Sequence, residues 1–186
     1  NSIKSIFLIV LLSILSEIPF PIVYVTVNVV LEGASPYALV YKKFDGSKTI
    51  SISYPLKSLD FINYEKDKIL SVGPRNEGEL FLLRSLGFKW QNISAVDLLS
   101  YSNLIKLGDI HKSEYEDNTF DIITSSSVFE HSQMFWVLFN EIFRVLKPNG
   151  LFYLNAPSNG PYHTYPVDCY RFYPDSGEGL KEWGIQ

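Results

Sequence analysis

From Lys68 to Pro157 short apolar runs alternate with amphipathic stretches, and no other feature of the chain restricts its fold as much. Lys68–Val72 is an apolar run that ends in Gly73, the pattern of a buried strand. Gly78–Leu86 sets Leu80, Phe81, Leu83 and Leu86 at helical spacing and stops at Gly87. Ile93–Val96 reads as a second strand ending in Asp97, and Phe120–Ser125 as a third. Gln133–Leu146 carries Phe135, Leu138, Phe139, Ile142 and Val145 on one side of a helix. Lys147-Pro148-Asn149-Gly150 terminates that helix, because proline cannot continue it and Asn-Gly accepts positive φ. Leu151–Leu154 is the next strand, and Asp175-Ser176-Gly177-Glu178-Gly179 reads as a turn. Strands that alternate with helices pair in parallel through right-handed crossovers. The expected class is α/β, a mostly parallel sheet with flanking helices.

A chain of 186 residues suffices for one domain with a core, and 46% apolar against 19% charged residues describes a globular protein. The net charge of -4 and the scattered basic residues provide no phosphate-tracking stripe, so nucleic acid is not an expected partner. A single cysteine, Cys169, excludes an internal disulfide and a cysteine-based zinc site, and it fits a reducing, cytoplasmic compartment. It has no base pattern nearby that would make it a nucleophile.

Residues 3–31 form a separate, strongly apolar segment interrupted by Glu17, Pro19 and Pro21. Three readings stay open: a membrane anchor or interfacial helix, a buried packing helix followed by a strand, and a cleaved signal. Residues 33–67 are mixed, with Lys48–Tyr54 alternating like a short strand. Residues 1–67 are therefore read as an N-terminal extension that anchors or packs, and residues 68–186 as the main domain.

Ligands of open α/β sheets sit outside the carboxyl ends of the strands, and three strand ends here finish in suggestive residues. After Val72, Gly73 permits close backbone approach, and the helix start near Gly78 favours an anionic group. Asp97, at the end of the next strand, has the acceptor atoms for both hydroxyls of a ribose. Gly108-Asp109-Ile110-His111 follows, where Asp109 would accept from an adenine amino group. Beyond Leu154 a loop rich in proline and tyrosine carries His163, Asp168 and Arg171, which suits a polar or sugar-like acceptor. His163 is the candidate general base, because imidazole titrates near neutral pH; the alternative is that His163 and Arg171 satisfy carbonyls in a packed lid. His131 reads as a cap on the following helix. His163 and Asp168 alone are too few ligands for a metal, and none is expected.

The run Asp117-Asn118-Thr119-Phe120-Asp121-Ile122-Ile123, followed by Glu130-His131 and then Glu141-Ile142-Phe143-Arg144-Val145-Leu146-Lys147-Pro148-Asn149-Gly150, resembles class I S-adenosylmethionine (SAM)-dependent methyltransferases of the small-molecule type. The resemblance extends from Lys68 to Pro157. It implies a Rossmann-like sheet with SAM across the strand ends, and a small-molecule or glycan-type acceptor. Carried over by position, Gly73 would approach the methionine part of SAM, Asp97 would hold its ribose, and Asp109 with Ile110 would border its adenine. Ser125 and Ser126 would face the reacting centre. The glycine loop departs from the family pattern: in place of an acid followed by alternating glycines stand Ser71, Gly73, Arg75 and Glu77, with Gly78 displaced by one place. Arg75 could pair with the cofactor carboxylate, or Arg75 and Glu77 could block the site.

A complete domain of this class continues with a final helix and a strand hairpin; if the protein ends at Gln186, its last strands are missing or supplied by a partner. Two other functions stay open. One is a non-catalytic relative serving as an assembly or regulatory module. The other is a nucleotide-sugar or dinucleotide enzyme, against which the three-glycine fingerprint is missing.

Overall fold

The computed structural model describes residues 22–28, 39–41, 49–51, 62–158, 161–173 and 175–184. At its centre is β4 (Ile69–Val72), whose residues Ile69, Leu70, Ser71 and Val72 are all buried. Such a continuous apolar run belongs to a strand covered on both faces. It pairs in parallel with β5 (Ile93–Asp97) on one side and β7 (Phe120–Ser126) on the other. β6 (Lys106–Leu107) adds to β5, and β8 (Leu146–Pro157) adds to β7, again in parallel.

Beyond β8 the sheet continues. β1 (Ile22–Asn28) pairs in parallel along Leu151–Pro157, and β2 (Leu39–Tyr41) and β3 (Thr49–Ser51) follow antiparallel. The result is one eight-stranded sheet in the order β3-β2-β1-β8-β7-β4-β5-β6. Ile22–Asn28, part of the apolar segment 3–31, is thus an internal strand hydrogen-bonded on both edges. The rest of that segment, and residues 48 and 52–54 of the alternating stretch, lie outside the described residues. No helix among the described residues is long and apolar enough to cross a membrane. At that flank the sheet is extended by β1 to β3, strands from the N-terminal part of the chain.

Successive side chains of a strand face opposite sides, which divides the core in two. On one face Leu70, Ile123 and Phe152 pack with Phe129 and with α2 (Phe135–Val145) through Leu138, Phe139 and Ile142. On the other, Ile69, Ile122 and Leu151 pack with Leu83 of α1 (Gly78–Leu86) and with Phe88. α1 has the predicted bounds, and Gly87 ends it at φ 118°, a left-handed conformation that glycine adopts without penalty.

Two turn expectations are corrected. α2 ends at Val145, and Lys147–Gly150 belongs to β8 rather than to a helix terminator. Phe120 pairs with Leu146 and Ile122 already with Leu151, so these residues bulge out of the ladder. Lys147 Nζ, 2.7 Å from Asp121 Oδ1, pins the bulge to β7. Asp175–Gly179 is no free turn either, because α3 (Ser176–Gly184) begins inside it. Its two internal glycines disfavour a helix. Burial of Leu180 and contact of Trp183 with Phe139 override them.

Candidate active site

Because β4, β5, β7 and β8 are parallel, their carboxyl ends share one edge of the sheet, and every loop leaving that edge carries a candidate residue. Gly73 sits there with φ 68°, its N–H donating to Val96 O at 2.8 Å. A Cβ on Gly73 would lie 2.3 Å from Val128 Cγ2. The glycine is therefore required by its own φ and by the close approach of the loop after β7, on the side that faces protein. Arg75 also has a left-handed φ, 53°, unusual for a residue with a side chain. Its N–H donates to Asp97 Oδ2 at 2.8 Å, which ties the β4 loop to the end of β5. Leu99 N–H donates to the other Asp97 oxygen at 2.9 Å.

Arg75 and Glu77, the two side chains at issue in this loop, both have partners. Arg75 Nη2 donates to the Tyr165 hydroxyl at 2.6 Å, and its guanidinium lies 4.1 Å from the centre of that ring. Glu77 accepts from the Ser102 hydroxyl. Gly78 N–H is capped by Asn76 Oδ1 at 2.9 Å, so that amide already has an acceptor.

The carboxylate absent at position 71 comes from α1. Glu79 Oε1 accepts from Ser71 Oγ and from Thr124 Oγ1, each at 2.8 Å, beneath the loop. Burial pushes the Glu79 carboxyl up from its ordinary value, with the two hydroxyl bonds partly opposing it. A raised carboxyl contributes stability that is complete at low pH and is lost as pH rises through the folded-state value. Replacing Glu79→Gln should therefore raise thermal stability relative to the wild type more at about pH 8 than at about pH 5. Melting curves at the two pH values check this, and an equal difference at both would mean that the group is not held neutral.

Asp109 is engaged by its neighbour. Its Oδ1 accepts from His111 N–H at 3.0 Å and lies 2.7 Å from His111 Nδ1. His111 Nε2 lies 2.7 Å from Ser132 Oγ. Burial opposes ionisation of Asp109, but the His111 bonds outweigh it and hold its carboxyl below the usual range. Ile110 is buried in the core. Ser125 Oγ is buried without a partner among the described residues, and Ser126 Oγ accepts from Asn155 Nδ2 at 3.2 Å.

The loop after β8 folds back over this edge. Arg171 grips Asp168 with both terminal nitrogens, Nη1 to Oδ1 at 2.5 Å and Nη2 to Oδ2 at 2.8 Å. That guanidinium holds the Asp168 carboxyl well below the usual carboxylate range. His163 N–H donates to Asp168 Oδ2 at 2.7 Å, so His163, Asp168 and Arg171 form one unit. His131 does not cap a helix. It lies in a short 3-10 turn, Phe129–His131, and its Nδ1 is 2.6 Å from Val167 O, which pins the loop. The adjacent Glu130 accepts at its backbone carbonyl from Cys169 and Tyr170 N–H. Its buried carboxyl is pushed up by burial, with its own backbone N–H and the neighbouring Arg171 among the groups that partly oppose the shift.

Comparison with known proteins agrees with this edge-loop architecture. Residues 86–154 match the family described as "Methyltransferase domain". The chain is thus similar to a methyltransferase domain over those residues. Its fold is shared with a chain from the complex of the Haloferax volcanii Trm112 methyltransferase activator with a protein described as a methyltransferase. That likeness has a TM-score of 0.54 at 19% identity, over 66% of this chain and 61% of the other. The PH0226 protein of Pyrococcus horikoshii gives 0.51 at 21% identity, over 64% and 73%. A protein of Listeria monocytogenes described as an S-adenosylmethionine-dependent methyltransferase gives 0.51 at 12% identity, over 66% and 75%. The chain thus spans about three fifths of the Haloferax chain it matches. No curated protein matches it.

Class I methyltransferases use SAM, and the groups at the strand ends here fit it. Asp97 keeps unused lone pairs, since two N–H bonds do not saturate a carboxylate. Arg75 keeps guanidinium donors without partners among the described residues. Ser125 Oγ and Asn155 Oδ1 are buried and unpartnered there as well. Of the groups that sequence reasoning passed over, Glu79 is the least legible, since it reads as one more acid in the first turn of a helix.

Proposed function

We propose that this chain transfers the methyl group of SAM to a small-molecule or glycan-type acceptor. The observation that carries the reading is the Arg75 N–H bond to Asp97. It joins the loop after β4 to the acid after β5 within a methyltransferase domain, at the edge where such a sheet takes its ligand. SAM supplies an activated methyl on its sulfonium. The work left to the protein is to hold the acceptor in line, to exclude water and to receive a proton where the acceptor is a hydroxyl. Asp97 would accept from the ribose hydroxyls and Arg75 would face the cofactor carboxylate. Gly73, Gly78, Asp109 and Ile110 would border the cofactor through backbone and shape, and Ser125 and Ser126 the reacting centre. On the acceptor side, Asp168 and Arg171 hold His163 as a candidate proton acceptor. The exposed rings of Tyr162, Tyr165 and Tyr173 supply flat surfaces of the kind that sugars pack on.

The non-catalytic reading draws on one observation, the Arg75 side chain closing onto Tyr165. Titration calorimetry of the chain with SAM and with its demethylated product separates the two. Saturable binding of both at roughly micromolar to ~0.1 mM affinity is expected. Neither heat nor a thermal shift at about millimolar ligand would sink the enzyme reading.

A further inference from the structure

Beneath the loop after β8 lies a group of side chains, Glu130, His131 and His163, of which the methyl-transfer reading uses only His163. Glu130 is buried to 1% exposure, and neither carboxylate oxygen has a hydrogen-bond partner among the described residues. A buried carboxylate left so is costly, and something must face it. What faces it is two imidazoles. His131 Nε2 lies 3.8 Å from Glu130 Oε1, and one ligating atom from each of Glu130, His131 and His163 lies within 4.8 Å of the others.

The imidazoles are oriented as ligands are. Val167 O, 2.6 Å from His131 Nδ1, can only accept, so Nδ1 carries a proton and Nε2 is the ring atom left to ligate. His163 Nδ1 lies 3.1 Å from Pro161 O and 3.5 Å from Asp168 Oδ2, both acceptors, which leaves its Nε2 lone pair available in the same way. A carbonyl or carboxylate behind the ring is the usual outer partner of a metal-bound histidine. Asp168 is the weaker competitor for a cation, because it already accepts three N–H bonds and is charge-paired with Arg171.

We infer that Glu130, His131 and His163 form a binding site for a divalent first-row transition ion of the zinc or manganese kind. Two nitrogens and one carboxylate suit such an ion and disfavour magnesium or calcium, which prefer oxygen. Three protein ligands leave a coordination position open. Bonds of about 2 Å require the three groups to close together slightly. The ion would then clamp the turn Phe129–His131 to the loop that carries His163. A metal and a proton cannot share the Nε2 of His163, so this site gives His163 a ligand's role in place of a base's.

The site shares only His163 with the methyl-transfer reading, and its test does not involve SAM. The metal-free full chain is titrated with Zn2+, with Mn2+ and with Mg2+ by calorimetry. One Zn2+ or Mn2+ per chain is expected, with an upward thermal shift, and binding of Mg2+ at least ~10-fold weaker. Glu130→Gln and His163→Ala should each weaken Zn2+ binding by on the order of 100-fold or more and abolish the thermal shift. His163 is partly exposed, so its variant separates ligation from folding. Cys169→Ser should leave binding unchanged, since that thiol is exposed and outside the site. Absence of binding to the wild type overturns the inference, and so does binding that survives His163→Ala or is lost with Cys169→Ser.

Discussion

Phe129→Ala is expected to destabilise the domain by about 3–5 kcal/mol, the range for removing a fully buried phenylalanine. Phe129 has no exposed surface and packs against the rings of Phe152, from β8, and Phe172, from the covering loop, both with centroids 6.1 Å away. The cavity would open where strand, turn and loop meet, and none of the three can move in alone without breaking its own hydrogen bonds. For a chain of this size that loss corresponds to a fall in Tm of roughly 10 °C or more. Urea denaturation of the wild type and the variant measures it. A loss under about 1 kcal/mol would show that the aromatic cluster collapses to fill the gap.

The second large effect concerns ligand rather than fold. Asp97→Ala should weaken SAM binding by ~10–100-fold, because hydrogen bonds to a charged acceptor contribute about 1.5–3 kcal/mol. Two causes add. The ribose hydroxyls lose their acceptor, and the Arg75 and Leu99 N–H groups lose the carboxylate that shapes both loops. Asp97→Asn keeps one carbonyl acceptor and should fall between the variant and the wild type. Calorimetric titration with SAM reads both, and unchanged affinity in Asp97→Ala would place the cofactor elsewhere.

The elements that could be read along the chain are those whose signals are local. α1 was legible to the residue because its apolar spacing and the glycine after it lie within a few turns. β4 and β5 were legible because apolar runs that end in glycine or acid mark buried strands, and β7 from its apolar run alone. The bulge at Lys147–Gly150 was not: Pro and Asn-Gly signal a break in either a helix or a ladder, and only pairing with β7 decides which. α3 was missed for the opposite reason. Its glycines speak for a turn, whereas burial of Leu180 is a tertiary gain.

Within the site the same division holds. The positions of Gly73, Asp97 and Asp109 at strand ends could be argued from order alone. That Gly73 faces Val128, that Asp109 holds His111 and that Glu79 reaches Ser71 could not, because each contact joins loops from different strands.

By itself, then, the sequence determined the alternating α/β order, the parallel edge at which a ligand would sit and the resemblance to methyltransferases, since periodicity and turn chemistry act over a few residues. Only the tertiary structure decided that Ile22–Asn28 lies beside β8, and that Glu130 and His131 meet His163 from a loop more than thirty residues away. Those pairings depend on which surfaces the folded sheet brings into contact, and no local pattern of residues encodes that.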